Sequence, residues 1–400
     1  MNSLPQNIDF QNLDVWVLAG QSNMQGCGLL CDPTLCDAPA SDERVLNFSM
    51  SGNWEIASEP LHRLWESYTP VHASIMRGGV PPEADAMTNE QIAEEEARLR
   101  VAGAGLGIPF GVAMAEATGK PIGLISAAHG GTSLEQWSET LKSEGGNSLY
   151  GSMLDRIQKA GGKLKGVLWY QGESDCFAGA DTTYGERFNN WVQALRADTN
   201  QPDLPVIVVQ LGRVVQAASE TTWQTNSWDV VREAQRTLPD QMPHTAVTGA
   251  IDLGLCDTIH IDTPGLIRLG KRMAKLALAL AEGSTPSSPR VVKIEKGKDQ
   301  LNGFGLVRVV CEGVEGSWNP KTHIAGFQIC AQDGAPHPSA LLIEANADAR
   351  EPNVINVLMH PSPDETMFMA YGLGLSPYCN AADEADQPLL TFSPQAIVAT

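Results

Sequence analysis

Two short stretches, far apart in the chain, hold residues that together could break an ester. The first is Asp14-Val15-Trp16-Val17-Leu18-Ala19-Gly20-Gln21-Ser22-Asn23-Met24. Its apolar, partly β-branched run reads as a buried strand that stops at Gly20. Ser22 follows on the turn, flanked by the amides of Gln21 and Asn23. A serine on a tight loop after a strand is held off the sheet with its hydroxyl exposed, as a nucleophile requires. The G-x-S-x-G elbow works in the same way. Here, however, Met24 takes the place of the second glycine, and the serine follows the first strand rather than a middle one. Taken alone, Ser22 reads equally well as a helix cap.

The second stretch is Cys256-Asp257-Thr258-Ile259-His260-Ile261-Asp262-Thr263-Pro264-Gly265, with a carboxylate three residues before a histidine. Asp257 can turn back to accept the Nδ1 proton of His260, leaving Nε2 to take a proton from Ser22. Histidine suits that task because its unperturbed pKa lies near neutrality. Thr263 and Pro264 read as the N-cap and first residue of a helix. That helix carries Leu266, Leu269, Met273, Leu276 and Leu280 at helical spacing. Separately, His260 is an ordinary loop histidine and Asp257 a turn carboxylate. Together with Gly20–Asn23 they point to serine hydrolysis.

Two further segments have the character of an oxyanion site. Pro121–Ser126 reads as a strand that runs into His129-Gly130-Gly131-Thr132-Ser133. Paired glycines after a strand let the backbone approach a ligand, so that their N–H groups can face developing negative charge. Gly166–Tyr170 is a second strand, ending in Gln171-Gly172-Glu173-Ser174-Asp175. The Gln171 amide is a neutral donor suited to an oxyanion. Glu173 reads either as a tie between neighbouring loops or as a second acid near the serine. Without the serine, both glycine pairs would be plain turn chemistry.

The elements that must position these residues alternate. Strands are expected near 14–19, 121–126, 166–171, 205–211 and 246–251. Helices are expected near 108–118, 148–160, 183–197, 227–238 and 264–282. This alternation implies a doubly wound parallel sheet covered on both faces, and each candidate segment follows a strand's carboxyl end, where such sheets bind ligands. The stripe Tyr184, Phe188, Trp191 and Leu195 has helical spacing and reads as core. Residues 26–105 read as an irregular insertion lining the site, with one helix around 90–100. From it, Trp54, Trp65 and Arg77 are candidates for substrate contact. Gln21, Asn23, Glu173 and Arg213 are candidates for substrate contact or support. Gly103–Gly107 lacks the Lys-Ser/Thr of a phosphate loop.

A polar Pro/Ser run at 282–289 separates a catalytic unit, residues 1–283, from a second unit, residues 290–400. Short strand-like runs divided by turns make the second unit a small antiparallel β-sandwich.

Composition narrows the partners. A chain of 400 residues with 42% hydrophobic content holds about two domains. Its net charge of −20 argues against nucleic acid or an anionic membrane as partner. No run reaches transmembrane length. No signal peptide is visible, so the expected location is cytoplasmic, or secreted or periplasmic if a leader has been removed. The eight cysteines form no framework, and the spacing of Cys27, Cys31 and Cys36 fits no zinc pattern. They are expected to be thiols, with a disulfide there the minor alternative. Neither a metal nor a cofactor is expected.

The order of Gly20-Gln21-Ser22-Asn23-Met24, Gly130-Gly131-Thr132-Ser133, Trp169-Tyr170-Gln171-Gly172-Glu173-Ser174 and Asp257-Thr258-Ile259-His260 resembles that of the SGNH hydrolase superfamily. More narrowly, it is similar to the sialate O-acetylesterase-like and family 6 carbohydrate esterases. The resemblance spans roughly residues 12–282. It implies a flavodoxin-like catalytic fold with Ser22 as nucleophile, His260 as base and Asp257 as its orienting acid. It further implies oxyanion donors from the Ser22 amide, from Gly130 or Gly131, and from Gln171. The implied activity is removal of O-acetyl groups from sialate or another acetylated sugar. Acetylated xylan or pectin is the alternative substrate, and an inactive carbohydrate-binding module the alternative of another class. Oligomeric state is left open.

Overall fold

The computed structural model describes residues 9–30, 42–78, 88, 91, 102–284 and 287–399. Strand β1 (Asp14–Gly20) leads directly into the four-residue helix α1 (Ser22–Gln25). There follow β2 (Val45–Phe48), β3 (Trp54–Ile56), α2 (Pro70–Gly78), α3 (Gly107–Thr118), β4 (Ile122–Ser126), α4 (Leu149–Ala160) and β5 (Lys163–Tyr170). The unit closes with α5 (Tyr184–Asp198), β6 (Val206–Gln210), α6 (Thr225–Arg236), α7 (Leu238–Gln241), β7 (Thr245–Gly249) and α8 (Thr263–Ala281).

The seven strands form one sheet in the order β3-β2-β4-β1-β5-β6-β7. All neighbours are parallel except β2 and β3. Every residue of β4, β6 and β7 is buried. Burial without alternation means that both faces of the sheet are covered by helices. The chain leaves β1 toward β2 and β4 on one side and later returns to β5, β6 and β7 on the other. This reversal makes β1 the switch point of the sheet, where open α/β sheets form their ligand crevice. The stripe Tyr184, Phe188, Trp191 and Leu195 is buried, and Trp191 packs 4.6 Å from Trp169 between ring centroids.

Residues 26–105 depart from the irregular segment expected. They supply β2 and β3 to the central sheet, strands of four and three residues that are too short to display a period. Trp54 lies far from the crevice. Its indole donates to Ala160 O at 3.1 Å and packs on Phe10 and Phe48, at the end of the sheet where β5 begins. Of the helix expected around 90–100 only Gln91 is described, as helical; the other residues, including Glu94–Glu96, lie outside the described ones, as do Cys31 and Cys36. No described helix is long and apolar enough to cross a membrane.

All strand pairs of the second unit are antiparallel, with a single parallel bridge among the described residues, between Glu295 and Val398. Strands β8 (Arg290–Lys296), β9 (Gly305–Glu312), β12 (Leu341–Ala347) and β13 (Val354–His360) form one sheet in the order β12-β13-β9-β8. Strands β11 (Phe327–Cys330), β14 (Phe368–Tyr371) and β16 (Phe392–Ala396) form a second, and β10 (Trp318–Asn319) pairs with β15 (Ala382–Asp383). Their inward residues, among them Val307, Val309, Ile355, Val357, Met369 and Tyr371, make a separate core.

The two units share a polar seam. Gln210 Nε2 donates to Thr391 O, and its Oε1 accepts from Thr391 N at 2.9 Å. Arg272 is buried, forks onto both oxygens of Asp252 at 2.8 and 2.7 Å, and reaches Asp386 of the second unit. Leu390 crosses the seam into the core of the first unit. Removing one member of a buried ion pair typically costs about 3–5 kcal/mol, because the other is left charged and unpaired. Arg272→Met leaves Asp252 with Arg268 alone, at 3.1 Å, and is expected to lower stability by up to about that amount, whereas Asp386→Asn, at a half-exposed partner, lowers it by roughly 1 kcal/mol or less. Urea denaturation followed by tryptophan fluorescence checks the contrast, and equal losses would contradict it.

Candidate active site

Strand β1 ends at a position open only to glycine. Gly20 has φ +131°, and a Cβ there would collide with the carbonyl oxygen of Tyr170. The parallel ladder runs one residue past the strands, through Gln21 N to Tyr170 O at 2.9 Å and His129 N to Gly20 O at 3.0 Å. Ser22 then opens α1, and its amide is among those that a helix start leaves without an internal acceptor.

The two amide side chains beside Ser22 both hold the turn after β5. Gln21 Oε1 accepts from Ser174 N at 3.2 Å, and Asn23 Nδ2 donates to Glu173 Oε1 at 2.8 Å. Asn23 also reaches the histidine loop, accepting from Ile261 N at 2.9 Å and donating to Ile259 O at 3.4 Å.

On that loop, Asp257 Oδ2 lies 2.6 Å from His260 Nδ1. Asp257 Oδ1 accepts the main-chain N–H groups of Ile259 and His260 at 2.8 and 2.7 Å. Partial burial pushes the Asp257 carboxyl up, but the His260 ring and these two amides outweigh it and hold the group below its usual range. Asp257 is thus an anion that fixes the imidazole with Nδ1 as donor and leaves Nε2 to accept a proton. Helix α8 anchors the loop, although its cap is Asp262 rather than Thr263. Asp262 Oδ1 accepts from Gly265 N at 2.8 Å, while the Thr263 hydroxyl donates to Leu29 O.

The expected oxyanion donors divide. Gly130 lies against Ser22, since a Cβ on it would stand 3.4 Å from Ser22 Cβ, but its N–H donates to Gln25 Oε1 at 2.8 Å. Gln171 is fully buried, with its amide nitrogen donating to Thr132 O at 3.0 Å and Asp175 Oδ2 at 2.6 Å. Both its hydrogens are engaged, which makes it a brace between the loops after β4 and β5 rather than the donor expected. Gly131, at φ +70° and exposed, has no backbone acceptor for its N–H among the described residues.

Several supporting residues carry no motif that would have marked them. Asp175 is buried, accepts from Leu134 N and Gln171, and pairs with Arg187 at 2.9 Å. Gln25, one helical turn after Ser22, holds Gly130 through its side chain and His62 Nδ1 through its carbonyl at 2.9 Å. The only sequence signal for Gln25 is its i, i+3 spacing from the serine. Gly103 and Ala104 form backbone bonds to Gly26 and Gly28, a close approach that explains the glycines there. Arg213 follows β6 with its Nε buried and unpartnered. Arg77 falls in α2, and its side chain lies outside the described residues. Trp65 is half-buried on a 3₁₀ turn. Among the described residues no group of three or more His, Cys, Asp or Glu is placed to hold a metal ion.

The chain belongs to the carbohydrate esterase family described as sialic acid-specific acetylesterases, whose model matches residues 12–279. The match covers the α/β unit and stops before the second one. A probable carbohydrate esterase of Arabidopsis thaliana is 31% identical over 283 residues, 66% of this chain and 90% of the relative. The X-ray structure of that plant protein aligns with a TM-score of 0.50 at 28% identity, covering 67% of this chain and 98% of the other. A carbohydrate acetylesterase from Xanthomonas citri aligns over 95% of this chain and 80% of its own, with a TM-score of 0.65 and 22% identity. Its fold therefore extends over both units.

Behind the serine lie three buried histidines. His72 and His129 stack, with their Nδ1 atoms 2.9 Å apart, so one ring donates and the other accepts. Burial, with the Arg156 charge nearby, pushes His62 down to about 3. Burial pushes His129 down to about 4, and His72 is also held well below its usual range. A histidine with a depressed folded pKa contributes stability that is complete above its unfolded value of 6.5 and is lost as pH falls toward the folded value. Glu59, raised by burial to about 7, acts in the opposite direction, so a single-residue difference isolates the effect. His62→Asn keeps a donor for Gln25 O. Between pH 7 and pH 5 it is expected to lose about 2 kcal/mol less stability than the wild type. Urea midpoints at the two pH values measure this, and parallel losses would refute the assignment.

Proposed function

We propose that this protein is a serine esterase that removes O-acetyl groups from a carbohydrate through an acetyl-enzyme intermediate. The observation that carries the reading is the Asp257–His260 pair at 2.6 Å, on a loop hydrogen-bonded to the residue next to Ser22. Ser22 Oγ attacks the acetyl carbonyl carbon while His260 Nε2 takes the hydroxyl proton. The Ser22 and Gly131 N–H groups face the oxygen on which negative charge develops. As the tetrahedral species collapses, the C–O bond to the sugar breaks and His260 returns the proton to the departing hydroxyl. Water, losing its proton to His260, then attacks the acetyl-serine, and acetate leaves with Ser22 restored.

Sialate is the favoured substrate on the family description alone, since the four ordered sequence blocks mark the superfamily and not the sugar. Acetylated xylan and pectin are the competitors, and a panel of the three acetylated substrates separates them by kcat/KM.

Ser22→Ala and His260→Ala are expected to lower kcat for p-nitrophenyl acetate by about 10³-fold or more, and Asp257→Asn by about 10²–10⁴-fold. Thermal stability is expected to stay close to that of the wild type. p-Nitrophenyl octanoate is expected to react poorly. Purified Ser22→Ala protein that keeps wild-type turnover would overturn the mechanism.

A further inference from the structure

Glu173 has no step in this mechanism, yet it is only 2% exposed and is hydrogen-bonded to Asn23, the residue after Ser22. Its Oε1 accepts from Asn23, while its Oε2 is buried without a hydrogen-bond partner. A core position gains nothing from such a group, because an unpartnered buried carboxyl oxygen is costly. Its side-chain bond to Asn23 points to a task.

Asn23, also 2% exposed, offers an amide with one accepting and two donating directions. Oδ1 takes the Ile261 N–H, and Nδ2 faces Ile259 O and Glu173 Oε1. The main chain is therefore gripped on both sides of His260. Reversing the amide would set its carbonyl against a carboxyl oxygen and its N–H₂ against the Ile261 N–H. Glu173 is the acceptor that enforces the working orientation. Other contacts hold the loop elsewhere: Cys256 N to His260 O at 2.9 Å, Asp262 N to Gly254 O at 3.0 Å and Val215 N to Thr258 O at 2.7 Å. Cys256 Sγ also reaches Cys27 O, two residues beyond that helix, at 3.5 Å, but Asn23 is the tie that lies on the serine helix itself, beside Ser22.

We propose that Glu173 is a positioning residue for the base: by fixing the Asn23 amide, it holds the His260 loop in register with Ser22. The catalytic consequence rests on the esterase reading above. The grip itself does not.

The test combines kinetics with hydrogen exchange on the full-length protein. A positional error of about 1 Å is associated with roughly 10²-fold loss of turnover. Glu173→Ala and Asn23→Ala are each expected to lower kcat for p-nitrophenyl acetate by about 10- to 100-fold, with KM changed by less than about threefold. The double variant is expected to be no worse than Asn23→Ala alone, as for residues that act through one contact. Glu173→Gln keeps an acceptor for Asn23 and is expected to recover most of the loss. Amide exchange in the segment 255–262 is expected to quicken in Glu173→Ala and Asn23→Ala but not in Glu173→Gln, with β4 and β6 unchanged. If Glu173→Ala does not fold, Glu173→Met fills the same space without an acceptor. Additive losses, a Glu173→Gln variant as poor as Glu173→Ala, or unaltered exchange at 255–262 would each overturn the proposal. A wild-type protein without Ser22-dependent hydrolysis would overturn the esterase reading instead, and the exchange pattern would still decide the grip.

Discussion

Strand β1 pairs in parallel with β4 on one side and with β5 on the other, and the whole candidate site depends on that arrangement. Parallel strands bring all their carboxyl ends to one edge, so the loops after β1, β4 and β5 leave the sheet side by side. They carry Gln21–Asn23, Gly130–Ser133 and Gln171–Asp175. At that separation, amide and carboxyl side chains of two or three bonds can span from loop to loop. Gln21, Asn23, Gln25, Gln171 and Asp175 all do so. The serine sits in the middle of this lattice of amides, directly after the one strand flanked by both of the others.

The supporting shell is polar and buried, a combination tolerated only where partners are found. Most of its donors and acceptors are matched within the protein. Burial holds all three histidines below the usual range, and at His62 and His72 the Arg156 charge adds to it. Arg156 itself is buried and donates to the carbonyls of Ser126, Met50 and Phe48. Such networks make a region rigid because one altered member strands the others. Rigidity is what the proposed mechanism needs, because the histidine it uses as base arrives on a loop from the far end of the unit.

Much of this was legible in the sequence. The strand positions and the switch-point placement follow from apolar runs punctuated by glycine, and the Asp257–His260 pair follows from spacing. What could not be read was the choice of partners. Gln171 has the chemistry of an oxyanion donor, but its two hydrogens go to Thr132 and Asp175, a selection made by tertiary packing. Gly130 is close to Ser22, yet its N–H turns to Gln25. Strands β2 and β3 escaped notice because three or four residues cannot show a period. Trp54 reads as a candidate substrate contact because an aromatic in an irregular segment gives no sign of which end of the sheet it will cover. The cap at Asp262 rather than Thr263 is a one-residue shift between two residue types that serve equally well.

The seam between the units gives residue 283 an unexpected meaning. It marks where the chain changes topology, but the packing does not change there: Leu390 lies in the first unit's core, and Asp386 faces Arg272 beside the loop that leads to the histidine. The plant relative is matched over 98% of its length by 67% of this chain, so the α/β unit exists elsewhere as a nearly complete protein. In the present chain that unit has an unfinished wall. Cutting at the linker would not free an enzyme from an appendage. It would leave an apolar hole at Leu390 and strip Arg272 of its contacts to Asp386, where the second unit now acts as the last piece of the first.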